Sequence, residues 1–186
     1  MEKNAIRKII RELKKNIILP SDYISTLENQ VFSKVEMLLE FKNSRNILMY
    51  HSLADEFPTR NTIERWARER NIFLPKVVGD DLILLPYSRQ KLATGAYGIE
   101  EPTTVTPVSP SQIDLIIVPA MAFDSWGNRL GRGKGYYDRL LSQSAATRIG
   151  IGYDFQLLDC IPAEPHDIKM HYIFTPNCSI TICNQI

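Results

Sequence analysis

Hydrophobic residues recur along the chain at two different periods, and these periods predict a mixture of helices and strands. Near the N-terminus the apolar residues follow the i, i+3, i+4, i+7 spacing of one helix face; they are Ile6, Ile9, Ile10 and Leu13. A second stripe predicts a helix over residues 21–41. A third helix is predicted over residues 62–70, with Asn61 and Glu64 placed as a capping box.

Short apolar runs bounded by turn residues predict strands. The runs span residues 47–50, 72–78, 81–85, 113–118, 148–153, 171–174 and 179–183. Because helices and strands alternate, we expect an α/β fold whose sheet has helices on both faces. Residues 86–112 are rich in Pro, Gly, Thr and Ser and show little periodicity. Such a long irregular segment in a compact domain is often functional.

Length and composition are those of an ordinary globular protein. The 186 residues are expected to form one domain, 1–186, and 44% hydrophobic and 23% charged residues fit that class. A net charge of +1 gives no sign of nucleic-acid binding. No apolar run reaches the length of a membrane span, and the charged N-terminus lacks a secretory signal. Cys160, Cys178 and Cys183 have no metal-binding spacing, which favours reduced thiols and a cytoplasmic protein.

A glycine-rich loop is the most informative local feature. Between Gly131 and Gly135, glycine alternates with Arg132 and Lys134, and Arg129 lies just upstream. Glycine permits positive φ and a close approach of ligand atoms to the main chain, and successive amides in such a turn can form an anion site. A strand-like run precedes the loop and a helix-like run over residues 136–141 follows it, an arrangement that binds phosphate. The alternative is a solvated basic surface loop.

Neither of the common phosphate motifs fits this loop. A P-loop requires glycine where the chain has Asn128, and a hydroxyl residue where it has Gly135. The dinucleotide fingerprint requires glycine where the chain has Tyr136. We also find no Ser/His/Asp or Cys/His signature for nucleophilic catalysis. The loop is therefore predicted to bind phosphate by a different motif.

Residues 127–138, Gly-Asn-Arg-Leu-Gly-Arg-Gly-Lys-Gly-Tyr-Tyr-Asp, resemble the signature of the 5-formyltetrahydrofolate cyclo-ligases, also called 5,10-methenyltetrahydrofolate synthetases. Further segments match that family in the same order: Lys3 with Arg7, 55–59, 97–102 and 167–169. The resemblance spans almost the whole chain. It implies a single-domain, Rossmann-like three-layer α/β fold, similar to that of the sugar-phosphate isomerases and CoA-transferases.

The same resemblance implies an activity. The family converts 5-formyltetrahydrofolate and ATP to 5,10-methenyltetrahydrofolate, ADP and phosphate, with Mg²⁺. The formyl oxygen would attack the γ-phosphate, and the second folate nitrogen would then close the ring as phosphate departs. Such chemistry requires positioning and charge neutralisation rather than a covalent nucleophile. We expect ATP and 5-formyltetrahydrofolate as substrates, no nucleic-acid or membrane partner, and a monomer.

Site residues follow from the matched motifs. The expected ATP-binding residues are Lys3, Arg7, Arg129, Leu130, Gly131, Arg132, Gly133, Lys134, Gly135, Tyr136 and Tyr137. The expected folate-binding residues are His51, Glu56, Tyr97, Arg132 and Tyr136. Arg132 and Lys134 are expected to be catalytic because they would offset charge on the transferred phosphoryl group. Asp138 is the expected Mg²⁺ ligand, although an aspartate there could also serve the helix dipole.

One position departs from the family pattern. Where the family commonly has a second acidic Mg²⁺ ligand, the chain has His171, and Mg²⁺ prefers oxygen ligands. Water, or another acid such as Asp167, could replace it. Two alternatives to a cyclo-ligase stay open at this point: another phosphate-ligand enzyme of the same fold, such as a sugar-phosphate isomerase, and a non-catalytic folate- or nucleotide-binding protein.

Overall fold

A computed structural model describes residues 2–15, 20–88, 92–94, 100–102, 106–165 and 167–182. Its helices are α1 (Lys3–Lys15), α2 (Ser21–Glu36), α3 (Leu39–Asn43), α4 (Arg60–Trp66) and α5 (Tyr136–Ser142). Its strands are β1 (Asn46–Leu48), β2 (Asn71–Val78), β3 (Asp81–Pro86), β4 (Leu92–Thr94), β5 (Glu100–Pro102), β6 (Leu115–Val118), β7 (Ala122–Asp124), β8 (Arg129–Leu130), β9 (Thr147–Ile151), β10 (Leu157–Leu158), β11 (Tyr172–Phe174) and β12 (Ser179–Thr181).

A seven-stranded sheet forms the centre of the fold, in the order β12-β11-β9-β6-β1-β2-β3. The five inner strands are parallel, and each edge strand is antiparallel to its neighbour. The order of the parallel strands reverses at the β1–β6 pair, because the chain goes from β1 to β2 on one side and then returns to β6 on the other. In open α/β sheets, ligands bind beyond the carboxyl ends of the strands at such a point.

Alternate residues of the parallel strands face opposite layers. One face packs against α2, α3 and α4, with Phe32 and Trp66 among the buried helix residues. The other face packs against α5, through Leu140 and Leu141, and against Phe123. The predicted α/β fold with helices on both faces of its sheet is therefore confirmed, and the sheet is mostly parallel. None of the helices in the described ranges is long and apolar enough to cross a membrane.

A smaller sheet of β10, β7 and β8 lies beside the large one and packs against α1. Ile6 and Ile10 are buried there, as predicted, whereas Ile9 and Leu13 are 47% and 43% exposed. The buried face of α1 is therefore narrower than its apolar stripe. The side chain that is buried near the end of α1 is Lys14.

The structure corrects three further expectations about individual elements. The helix predicted over 21–41 is divided into α2 and α3, because the chain leaves the helical conformation at Leu38 (ψ 142°). The predicted capping box at Asn61 is wrong: α4 starts earlier, at Arg60, and its N-cap residue Thr59 makes no capping hydrogen bond. The chain also forms the β7–β8 hairpin between the predicted strand and the glycine-rich loop.

Gly150 on β9 allows Phe123 to lie directly on the sheet. A Cβ atom at position 150 would lie 2.5 Å from Cε1 of Phe123, whose side chain is fully buried. We expect Gly150→Ala to lower the free energy of unfolding by about 1–3 kcal/mol, the usual cost of overpacking a core. Denaturant titration measures the loss. In a Phe123→Leu background the same substitution should cost less, and equal costs in both backgrounds would contradict the steric explanation.

Candidate active site

The glycine-rich loop, residues 131–135, connects β8 to α5. Gly133 and Gly135 adopt positive φ angles of 102° and 70°, as predicted from the alternating glycines. Gly131 is needed for a different reason, since a Cβ atom there would lie 2.8 Å from Nη1 of Arg129. The glycines thus serve the turn at two positions and close packing at the third.

Helix α1 holds this loop from one side. Nε of Arg7 donates a 2.9 Å hydrogen bond to the carbonyl oxygen of Gly131. Nζ of Lys3 lies 2.8 Å from Oδ2 of Asp167 and 3.0 Å from Oε1 of Glu164. Partial burial works against the charge of Lys3, but these carboxylates outweigh burial and raise the pKa of its ammonium group. Both N-terminal cations predicted for ATP binding are therefore engaged with the protein in this state.

The outer part of the loop has donors that no described residue uses. Arg132, Gly133 and Lys134 are exposed. In the described ranges no group accepts a hydrogen bond from the amides of residues 132–135, and no carboxylate pairs with the ammonium group of Lys134. Main-chain amides without an internal acceptor, close to the cations Arg132 and Lys134, are the arrangement expected for an anion-binding loop.

Arg132 joins the loop to the segment that follows β1. Its Nη2 atom donates a 2.6 Å hydrogen bond to Oδ1 of Asp55 and lies 3.1 Å from Oε1 of Glu56. Burial favours the neutral carboxyl of Asp55, but the hydrogen bond from Arg132 and the positive charges nearby outweigh it and lower the pKa of Asp55. The structure thus brings Arg132 and Glu56, which lie far apart in the sequence, into direct contact.

The segment after β1 is fixed by hydrogen bonds to its own main chain. The carboxylate of Glu56 accepts a 3.0 Å hydrogen bond from the amide of Leu53 through Oε2. The hydroxyl of Thr59, which is fully buried, donates to the carbonyl oxygen of Tyr50 at 2.7 Å. Glu56 is therefore held in one position, with its Oε1 atom directed towards Arg132. His51 is 8% exposed in the same segment.

Aromatic side chains pack around Phe57, the residue that follows Glu56. Tyr50 donates a hydrogen bond to the carbonyl oxygen of Phe57 at 2.9 Å, and the ring of Tyr153 lies 5.0 Å from that of Phe57. Burial raises the pKa of the hydroxyls of Tyr50 and Tyr137 first, and the charge of Glu56 raises both further. The hydroxyl of Tyr137 is buried without a hydrogen-bond partner in the described part of the chain. A flat ring bound at Glu56 would thus meet aromatic neighbours.

Arg129 and Asp138 form an ion pair beneath the loop. Nη2 of Arg129 lies 2.5 Å from Oδ1 of Asp138, and the two side chains are 4% and 32% exposed. The guanidinium of Arg129 also lies 5.7 Å from the ring of Tyr137. Arg129 is therefore turned inward, whereas part of the Asp138 carboxylate reaches the surface.

Two other predicted ATP-site residues face away from the exposed loop. The side chain of Leu130 is buried against α1, and its carbonyl oxygen accepts a 2.7 Å hydrogen bond from the amide of Met121. The hydroxyl of Tyr136 lies 3.4 Å from the carbonyl oxygen of Gly79 in the β2–β3 turn. Burial, and then the charge of Glu56, raise the pKa of the hydroxyl of the next residue, Tyr137. The predicted folate-stacking residue Tyr97 lies outside the described residues.

Both aspartates considered for Mg²⁺, Asp138 and Asp167, are paired with cations of the protein. No cluster of three or more potential metal ligands occurs in the described ranges. Nδ1 of His171 accepts a 3.0 Å hydrogen bond from the amide of Arg148, and Nε2 lies 2.8 Å from Nη2 of the same residue. Burial and the charge of Arg148 lower the pKa of His171. Asp167 is bound to Lys3. The side chain of Asp138 is 32% exposed and that of Asp167 is 15% exposed, so Asp138 is the more accessible of the two.

One charged neighbour of Asp55 does not belong to any of the matched sequence motifs. Nζ of Lys14 lies 3.6 Å from Oδ2 of Asp55, and the Lys14 side chain is 4% exposed. The signal that could have identified it is its position eleven residues after Lys3. That spacing is about three helical turns and places both residues on one face of α1. Arg11, which lies one turn after Arg7 on α1, is exposed.

Comparison with known proteins identifies the family of the chain. Residues 1–176 match the model of the 5-formyltetrahydrofolate cyclo-ligase family. The 5-formyltetrahydrofolate cyclo-ligase of Mycolicibacterium smegmatis is 44% identical over 100 residues, half of each chain. That of Escherichia coli is 33% identical over 144 residues, 72% of this chain and 79% of its own.

A solved structure is similar over the whole fold. The NMR structure of 5,10-methenyltetrahydrofolate synthetase from Aquifex aeolicus has a TM-score of 0.88 and 33% identity, covering 100% of this chain and 95% of its own. The family indicated by the sequence motifs and the family of these matches are the same. The chain belongs to the 5-formyltetrahydrofolate cyclo-ligase family.

Proposed function

We propose that this enzyme closes the ring of 5-formyltetrahydrofolate in two steps at the junction of the glycine-rich loop and the β1 segment. In the first step the formyl oxygen attacks the γ-phosphorus of ATP, and ADP leaves. In the second step the other folate nitrogen attacks the formyl carbon and gives up its proton, and phosphate leaves with the former formyl oxygen. The first step converts a poor leaving group into a good one, so no covalent enzyme intermediate is required.

The loop would provide the phosphate half of the site. Its exposed amides over residues 132–135 and the ammonium group of Lys134 would bind the triphosphate, with Arg7 holding the loop in place. Arg129 is buried and paired with Asp138. We therefore assign Arg129 the role of orienting that carboxylate, rather than direct contact with the phosphate groups.

The segment after β1 would provide the folate half. The amino and ring N–H groups of a pterin are hydrogen-bond donors, which suit the carboxylate of Glu56. The carboxylate is already held by the amide of Leu53. The tyrosines around Glu56 would contact the ring. Tyr137, with its buried hydroxyl, fits this half better than Tyr136 does.

The observation that supports this proposal most directly is the position of Arg132. It extends from the phosphate-binding loop, yet its guanidinium lies within 2.6–3.3 Å of Asp55 and Glu56. A group at this junction can neutralise charge where the formyl oxygen meets the transferred phosphoryl group. For Glu56 to accept the pterin, Arg132 must exchange a carboxylate partner for the phosphate groups.

Formation of 5,10-methenyltetrahydrofolate, followed by its absorbance, tests the function. Product should appear when ATP, Mg²⁺ and 5-formyltetrahydrofolate are all present, with one ADP released per product. Turnover of a sugar phosphate without ATP would support the isomerase alternative. Binding of both ligands without product would support a non-catalytic protein. The family match favours the ligase among the three.

Magnesium would be held by Asp138 together with phosphate oxygens and water, and it would offset negative charge on the phosphates of ATP. We expect Asp138→Asn to raise the Mg²⁺ concentration for half-maximal rate severalfold, because the amide is a weaker and uncharged ligand. Asparagine keeps an oxygen that can accept from Arg129, so the fold should be retained. Asp159→Asn, at an exposed position, is the matched control. An unchanged Mg²⁺ titration for Asp138→Asn would reject the assignment.

We also infer a Rossmann-like three-layer fold, similar to that of the sugar-phosphate isomerases and CoA-transferases, over one domain of residues 1–186. The reversal of strand order at β1–β6 and the packing of helices on both faces support it. We propose that the enzyme acts as a monomer. Cys160 and Cys178 are free thiols, in keeping with a proposed cytoplasmic location.

A further inference from the structure

Lys14 has no part in the chemistry above, yet its ammonium group is buried beside Asp55. The 3.6 Å separation from Oδ2 of Asp55 is too long for a hydrogen bond, and no described residue accepts one from this group. Burial lowers the pKa of Lys14, and the charge of Asp55 offsets this only in part. Buried ammonium groups are nearly always paired because an unpaired buried charge is costly. The position of Lys14 therefore requires an explanation.

The packing of α1 places Lys14 in the site. Ile6 and Ile10 fix the helix against the small sheet, and Lys3, Arg7 and Lys14 lie on one face of it, by the spacing of the helical turns. Arg7 contacts the phosphate-binding loop, whereas Lys14 lies beside Asp55. One helix thus contacts both halves of the proposed site.

The charges around Asp55 balance in the state described. Asp55 and Glu56 carry two negative charges, and Arg132 and Lys14 carry two positive charges. Arg132 makes all of the short contacts, at 2.6–3.3 Å, and Lys14 makes the long one at 3.6 Å. If Arg132 leaves for a phosphate group, Lys14 becomes the nearest positive charge for Asp55. A movement of about 1 Å, easy for a flexible lysine side chain, would bring its ammonium group to hydrogen-bonding distance.

We propose that Lys14 is a positioning residue. It becomes the ion-pair partner of the Asp55 carboxylate when the guanidinium of Arg132 binds the phosphate groups of ATP. The inference rests on the proposed phosphate-binding role of Arg132. Without Lys14, Arg132 would be the one cationic partner of Asp55 among the residues that the structure describes, and ATP would have to compete with Asp55 for the guanidinium. Lys14 therefore acts on nucleotide binding through Asp55 and Arg132, without touching the nucleotide.

Binding of the non-hydrolysable ATP analogue AMPPNP with Mg²⁺, measured by calorimetry, tests this coupling. Lys14→Met keeps the length of the side chain and removes its charge, and we expect it to weaken AMPPNP binding about tenfold, within the range for coupled charges in one site. In an Asp55→Asn background, Lys14→Met should weaken binding by less than about twofold, the usual limit of additivity. The effect should disappear there because asparagine holds Arg132 far less strongly.

The outcomes are distinct. Equal weakening in both backgrounds would show that Lys14 acts directly on the nucleotide or through overall charge, and no weakening in either would remove its role; both results overturn the proposal. If Lys14→Met does not fold, Asp55→Asn alone decides, since it should bind AMPPNP at least as tightly as the wild type. Lys15→Met, at an exposed position in the same turn, controls for loss of one charge. A wild type that binds no AMPPNP would instead reject the proposed function itself.

Discussion

Replacement of Arg132 by methionine is expected to lower kcat by about 100-fold to 1,000-fold, the usual cost of removing one group that stabilises transition-state charge. The guanidinium lies at the junction between the phosphate-binding loop and Glu56, where negative charge would develop on the transferred phosphoryl group. Methionine retains much of the side-chain length and removes the charge and the donors. Steady-state formation of 5,10-methenyltetrahydrofolate at saturating substrates measures the change.

Arg11→Met provides the matched control, because Arg11 is an exposed arginine on α1. Its kcat should stay close to that of the wild type. The proposal also requires Arg132→Met to weaken AMPPNP binding, since the guanidinium would contact the phosphate groups. If Arg132→Met retains more than half of the wild-type kcat while folding normally, Arg132 is not the residue that neutralises the phosphoryl group.

Substitution of Glu56 by glutamine should weaken 5-formyltetrahydrofolate binding by about 10-fold to 100-fold, as expected for loss of a hydrogen bond to a charged acceptor. Oε2 of Glu56 accepts from the amide of Leu53, and Oε1 is directed towards the site. Glutamine can keep one acceptor oxygen, but its amide nitrogen cannot accept from the pterin N–H groups. Separate calorimetric titrations with 5-formyltetrahydrofolate and with AMPPNP compare the two ligands in the same variant.

Glu69→Gln serves as the control for this substitution, since Glu69 is exposed beyond the end of α4. The test compares the loss of affinity for 5-formyltetrahydrofolate with the loss of affinity for AMPPNP in the same variant. Glu56→Gln should change AMPPNP binding far less than folate binding, because Glu56 is assigned to the folate half. Equal losses for both ligands would mean that the substitution disturbs the whole site, and the assignment would fail.

The succession of elements was largely predictable because periodicity reports which side chains are buried. The predicted strand over 72–78 corresponds to β2, Asn71–Val78, and the predicted strand over 81–85 corresponds to β3, Asp81–Pro86. The exposure of Ile9 and Leu13 was not predictable, since a hydrophobic stripe shows which face of a helix can be buried. How much of that face is covered depends on the partner. The small sheet covers Ile6 and Ile10 alone.

In the glycine-rich loop, too, some features are predictable from the sequence and others are not. The sequence predicts glycines that allow a tight turn, and Gly133 and Gly135 have positive φ. It cannot show that Gly131 is needed to accommodate the guanidinium of Arg129. Nor can it show that Arg129 points inward to Asp138 while Arg132 points outward. Those directions depend on the β7–β8 hairpin, whose residues periodicity did not identify as strands.

By itself the sequence determined the alternation of helices and strands, the family, and the residue types available for binding phosphate and a pterin, because motifs and periods are local properties of the chain. The tertiary structure alone decided which of these residues meet. Arg132 contacts Asp55 and Glu56 across 76 or 77 positions of sequence, and the ammonium group of Lys14 on α1 lies 3.6 Å from the carboxylate of Asp55. Such contacts depend on how the elements pack around the sheet. That packing is set by the burial of side chains from distant parts of the chain, which no local pattern records.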